Sequence, residues 1–227
     1  MINWDYMITY GGPELFVGFV VIVITPIIYR LILKHFKRSI KIISIASIWI
    51  VAIFIAYWDV YQISVEAERL CRDEAGLHVY KTVEAEGFLG YASDIEYWSE
   101  YGFSYIEGFY KNKKTRLTFQ NGEVVRETIS EYISLYQYVT DSVVLEMPFN
   151  RGTKIIKNRQ TGEVLGEIVS FAVYPGWLDS RLLGILGFTW IPPRCDGNYS
   201  PIRGKTTLYG DDLIKSIIKP NPNKEGD

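Results

Sequence analysis

Lys34–Lys41, KHFKRSIK, sets Lys34, Lys37, Arg38 and Lys41, together with His35, between two long apolar runs. Lysine and arginine beside a membrane span are strongly biased toward the cytoplasmic side. The stretch therefore reads as a cytoplasmic basic turn, 34–41, joining transmembrane helix 15–33 to transmembrane helix 42–62, with Arg30 snorkelling to the same side. Everything beyond the second run is then expected on the far side of the membrane, as is the short N-terminus, 1–14.

Run lengths suit this reading, since a span needs about 20 apolar residues. The first run, Leu15 to Leu33, contains Pro26, which predicts a kink. Asp5 and Glu14 precede it, no basic residue does, and no small-x-small pattern comes after it, which argues against a cleaved signal peptide. The second run is free of charge from Ile42 to Trp58. Trp4, Tyr6 and Tyr10 precede the first span while Tyr57, Trp58 and Tyr61 close the second, as an aromatic belt at one interface would. Ala52 and Ala56 form a small-xxx-small pair, a weak signal for close helix approach. Past Trp58, Val60, Ile63, Ala67 and Leu70 keep helical spacing, so the helix is expected to run on to about Cys71, with 63–75 a juxtamembrane helix. It then either stands as a stalk or packs on its own domain.

Charge and cysteines constrain the remainder of the chain. Before Val65 there are five basic and three acidic residues, leaving 19 basic and 23 acidic of the total of 24 and 26. An acid-leaning domain argues against nucleic acid. Cys71 and Cys195 both fall on the side where thiols oxidise, so a disulfide is expected, the alternative being two separate buried thiols.

From Gly76 the period changes to two, and 76–219 reads as one extracytoplasmic, mainly antiparallel β domain with a short C-terminal helix; the fold class is α+β behind a two-helix transmembrane hairpin. Leu77–Glu84 alternates as a strand. Tyr91–Tyr101 is acidic and aromatic, hence loop or short helix. Phe103–Tyr110 resumes strand character. Asn121-Gly122 between Thr115–Gln120 and Glu123–Ile129 is a hairpin turn, because both residues tolerate positive φ. Glu131–Thr140 fits a helix face or a strand; the strand is expected, with Tyr132, Ser134, Tyr136 and Tyr138 on one side, and Val143–Met147 as a further strand. A second hairpin joins Thr153–Asn158 to Glu163–Tyr174 around Gln160-Thr161-Gly162. Leu182–Ile191 is too short for a third span and is expected to fill core. Asp211 reads as the N-cap of a last helix, Asp212–Lys219, with Leu213, Ile214, Ile217 and Ile218 inward and 220–227 a disordered tail.

No catalytic set is legible, no cofactor is implied, and the metal-ligand spacings that make a zinc assignment specific are missing. His35 and His78 fall on opposite sides of the membrane. A Cys–His nucleophile would need Cys71 or Cys195 free, and His78 reads as an ordinary strand residue. Asp211-Asp212 is explained by helix capping and Glu84/Glu86 by a solvated strand end. Lys111, Lys113, Lys114 and Arg116 form a basic cluster that either meets an anionic surface or is simply solvated. Asn198-Tyr199-Ser200 matches a glycosylation acceptor hindered by Pro201. Twelve tyrosines lie from Tyr80 to Tyr209; most suit sheet packing, but Tyr91, Tyr97, Trp98 and Tyr101 sit in a stretch too polar for core and are the candidate binding surface.

The segments LCRDEAGLHVYKTV at Cys71 and RQTGEVLG at Thr161 resemble small bacterial envelope proteins, a resemblance that implies no activity. The expectation is a non-enzymatic, membrane-anchored binding or scaffolding protein of the cell envelope, partnered by the lipid bilayer and by a protein or envelope component, periplasmic where a second membrane exists. The alternatives are an envelope hydrolase using paired carboxylates and a small accessory subunit of a larger membrane complex.

Overall fold

The computed structural model describes Gly18 and residues 20–31, 38–90, 94–145, 149–174, 194–196 and 208–221. In chain order the elements are a π turn Val20–Ile24, α1 Thr25–Leu31, α2 Arg38–Asp73, β1 Gly76–Val79, β2 Val83–Ala85, β3 Gly87–Leu89, α3 Ile95–Tyr101, β4 Tyr105–Tyr110, β5 Lys113–Gln120, β6 Glu123–Thr128, β7 Tyr136–Val144, β8 Phe149–Asn158, β9 Val164–Val173, β10 Arg194–Cys195, α4 Gly210–Ile217 and β11 Ile218–Pro220. They fall into two compact units: Met1–Glu74 with Val144–Arg151 and Phe171–Lys205, and Ala75–Val143 with Gly152–Ser170 and Thr206–Asp227.

In the first unit the π turn Val20–Ile24 leads directly into α1, whose second residue is Pro26. The Trp49 indole N–H donates to Thr25 Oγ1 at 3.0 Å, tying α1 to α2. Helix α2 has 36 residues, about 54 Å at 1.5 Å per residue. Its two halves differ. Ile42, Ile43, Ile50, Val51 and Phe54 are all more than half exposed, and the exposed positions between 42 and 54 cover more than half of the circumference at 100° per residue. Beyond Tyr61 the pattern is that of an ordinary amphipathic helix. Ile63, Ser64, Ala67, Leu70 and Cys71 are buried, and charges take the other faces, where Arg69 pairs with Glu66 and Glu74 and Arg72 with Glu68.

The buried side of this half packs within the first unit. Ile63 and Ala67 pack on Val173 of β9 with Phe149 of β8 alongside, and Cys71 is disulfide-bonded to Cys195, which pairs with Phe171 of β9 through β10. Among the described residues no helix is long and apolar enough to cross a membrane, so the transmembrane hairpin is not supported by these helices.

The sheet runs β1-β9-β8-β7-β3-β4-β5-β6, with β10 on β9. Strands β1 and β10 on β9, β4 on β5 and β5 on β6 pair antiparallel, whereas β3 is parallel to both β4 and β7; β2 and β11 form a separate parallel pair. The Asn121-Gly122 hairpin forms as read, with φ of 52° and 81°, and so does the hairpin of β8 and β9. In the second unit α3 and α4 cover one face of the sheet. Phe88, Ile95, Trp98, Phe103, Ile106, Leu117, Leu213 and Ile217 form the centre of the core. Phe88 meets Trp98 and Phe103 edge-on at 5.2 Å each, a geometry worth about 0.5–1.5 kcal/mol per pair beyond area burial. Gly87 permits β3 to approach β4, since a Cβ there would lie 2.3 Å from the Tyr105 carbonyl oxygen.

Four sequence readings need correction. Leu77–Glu84 is not one strand: the N–H groups of Tyr80 and Lys81 both reach the Leu165 carbonyl at 2.9 Å, which ends β1 and frees Val83–Ala85 to pair with β11. Residues 131–135 leave the sheet, because Ser134 bonds the buried Glu107, and the strand begins only at Tyr136. Val143 belongs to that same strand; 146–148 lie outside the described residues. Helix α4 starts at Gly210 with Tyr209 as its N-cap, whose N–H donates to the Asp212 carboxylate at 2.8 Å, and Ile218–Pro220 is strand. Leu213, Ile214, Ile217 and Ile218 are buried as read. The expected core segment Leu182–Ile191, the N-terminus 1–14 and nearly all of the tail 220–227 lie outside the described residues.

Candidate binding cleft

Helix α3 is too short to cover the whole inner face of the sheet, and the uncovered part is a cleft of about 890 Å³ in the second unit. One wall is α3 with its N-cap, presenting Asp94, Glu96, Tyr97 and Glu100. The floor comes from Tyr110, Leu117, Val124 and Arg126 of β4, β5 and β6, and Asp211 of α4 closes an end. Period-two alternation explains the floor. Val124 pairs with Phe119 and Arg126 with Leu117, so both point to the core side of the sheet, but at its last strand, where no core remains to receive them. Both Val124 and Tyr97 are substantially exposed. A smaller pocket of about 230 Å³ shares Asp94, Tyr97 and Asp211 with the cleft and continues past Trp98, Tyr138 and Tyr209.

The charge balance is lopsided: Asp94, Glu96, Glu100 and Asp211 against Arg126. Arg126 lies over the Tyr110 ring, 4.1 Å from its centroid. Beside the cleft the Lys215 ammonium sits 4.6 Å from the Tyr97 ring centroid, and its bond to the Tyr97 hydroxyl raises its pKa above the ordinary lysine value. Asp94 holds a left-handed backbone, φ 57°, and makes no side-chain cap bond to α3. Carboxylates interleaved with tyrosine faces suit ammonium and guanidinium groups.

Of the aromatic residues singled out from sequence, Tyr97 lines the cleft. Trp98 is 5% exposed and packs in the core, because its position on α3 faces the sheet, and it also lines the smaller pocket. Tyr101 is partly buried against the core, its hydroxyl donating to the Lys215 carbonyl at 3.4 Å. Tyr91 lies outside the described residues. The capping carboxylate of α4 belongs to Asp212 rather than to Asp211, which lines the cleft instead. Sequence reasoning missed Tyr110, Val124 and Arg126. The signal that could have found two of them is an edge-strand valine and arginine on the core-facing register.

The opposite face of the same strands carries a second cluster. Glu107 is fully buried and accepts hydrogen bonds from Arg116 (2.8 and 3.1 Å), from the Ser134 hydroxyl and N–H (2.7 and 2.9 Å) and from the Ile133 N–H (3.3 Å). Burial alone pushes its pKa up; the bonds from Ser134, Arg116 and Ile133 outweigh burial and hold it below the ordinary carboxylate value. Arg159 donates to the Ser134 and Tyr132 carbonyls, clamping the same segment. All of these donors are satisfied within the fold, so this is a lock rather than a site. It also absorbs Arg116 from the basic cluster, while Lys114 bonds the Ser130 carbonyl.

The disulfide leaves Cys71 and Cys195 no thiol chemistry. Among the described residues no group of three or more His, Cys, Asp or Glu side chains is placed to hold a metal ion. Comparison with protein-family models, with curated proteins and with solved structures finds no match to this chain.

Proposed function

We propose that this chain is a membrane-anchored extracytoplasmic binding module whose ligand site is the cleft between α3 and strands β4–β6. The observation that carries the reading is the cleft itself: tyrosines and exposed carboxylates gathered around a floor of Tyr110, Leu117, Val124 and Arg126. Anchoring is supported by α2. A helix in water keeps polar residues on its exposed arc, whereas the N-terminal half of α2 exposes isoleucine, valine and phenylalanine over most of its girth. Such a surface is expected to be covered by lipid or protein. The basic turn 34–41 favours a cytoplasmic bend for the hairpin, and the disulfide favours an oxidising compartment for the domain beyond α2.

Topology and binding are tested together. A tag after Asp227 should be reached only from outside intact cells, and photo-crosslinkers at Val124 should capture a partner that the Tyr97→Ala chain loses. A tag reached from the cytosol overturns the anchoring, and capture unchanged by Tyr97→Ala overturns the cleft as the site.

A further inference from the structure

Strand β6 narrows what can occupy the cleft. It ends the sheet: among the described residues it is paired only with β5, and all six of its residues are exposed. An edge strand turns alternate backbone N–H and C=O groups outward, a template for one more strand. Val124 and Arg126 lie on the cleft side of β6, and Val125 and Glu127 on the other. A chain laid along this edge would therefore widen the floor of the cleft, and every second side chain of it would enter the cleft. There it would meet Glu96 and Glu100 on α3, which with Asp94 and Asp211 outnumber the lining's Arg126, beside the Tyr97 ring that Lys215 already faces. Acidic and phosphate-bearing ligands are repelled by that wall. A free polyamine would satisfy the carboxylates but leave the strand edge bare.

We infer that an extended lysine- or arginine-bearing segment of a partner protein adds to the free edge of β6 and sends alternate basic side chains into the cleft. The inference rests on the binding-module reading and names its ligand class. Glu123, Arg126 and Glu127 on the same strand discourage indiscriminate apolar pairing, so recognition depends on charge as well as on backbone.

The test uses the full chain in nanodiscs and a labelled peptide of about eight residues alternating lysine and valine, with binding read by fluorescence anisotropy. Saturable binding is expected, weakened about tenfold in a Glu96→Gln/Glu100→Gln chain. Two N-methylated peptides, each blocking the amides along one edge of the extended peptide, need no change to the protein. One should bind about tenfold more weakly and the other like the parent, because only one edge pairs with β6. Equal binding by both N-methylated peptides overturns strand addition, as does a spermidine competitor that fully replaces the peptide at equal concentration. Equal binding by a glutamate–valine peptide overturns the charge argument. Absence of saturable binding up to about 1 mM overturns the inference. In that event continued Tyr97-dependent crosslinking leaves the binding-module reading standing, and its loss brings down both.

Discussion

The two faces of strands β4 and β5 hold nearly the same chemistry and put it to opposite uses. On the outer face a carboxylate, an arginine and tyrosines close on one another around Glu107, with their hydrogen bonds made inside the fold. On the inner face, at the sheet's edge, carboxylates, an arginine and tyrosines surround about 890 Å³ of open space. What separates a structural cluster from a candidate site here is the state of the carboxylates: Glu107 is buried and bonded within the fold, whereas Asp94, Glu96, Glu100 and Asp211 are exposed around open space, even though Arg126 and Lys215 already cover the Tyr110 and Tyr97 rings. Residue type does not separate them.

The largest way to break the contrast is Glu107→Ala. It strands Arg116 and the Ser134 donors without their acceptor, and removing one partner of a buried pair costs about 3–5 kcal/mol. Urea denaturation should show a loss of that size, with Glu107→Gln losing less because the amide oxygen still accepts. A loss under about 1 kcal/mol would mean that the lock is no more than a surface pair.

Acid is the next probe. The folded pKa of Glu107 lies below the ordinary value of 4.5, so on acidification the unfolded chain takes up this proton first. The stabilisation is complete above about pH 4.5 and falls as pH drops through the folded value, with a slope approaching about 1.4 kcal/mol per pH unit. The difference between wild type and Glu107→Gln should shrink over that window; a difference independent of pH would place its origin outside the carboxylate.

The smallest effect is expected where binding is proposed. Glu96→Gln and Glu100→Gln change exposed side chains, so stability should stay within about 0.5 kcal/mol of wild type while peptide affinity falls. A large stability loss would show that these carboxylates are structural after all, and would erase the contrast between the faces.

Local chemistry with short range is legible in the sequence. Asn121-Gly122 announces its hairpin, the inward face of α4 comes from Leu213, Ile214 and Ile217, and Cys71 with Cys195 announces the disulfide. The illegible part depends on which surface covers a strand. Glu107 alternates like any solvated strand residue, and nothing in Tyr105–Tyr110 shows that residues 131–135 will fold over it. Trp98 looks too polar in company to be core, because the acids around it occupy the other sides of a helix only seven residues long. Val124 and Arg126 carry the period of a core strand, and only the position of β6 at the end of the sheet order turns that period into a cleft floor.

The bond between Cys71 and Cys195 spans 124 positions of sequence. A protease clip anywhere between Arg72 and Arg194 therefore yields two fragments that still travel as one molecule until a reductant is added. Cleaved in an oxidising compartment, the piece carrying α2 and the severed piece would leave together or not at all.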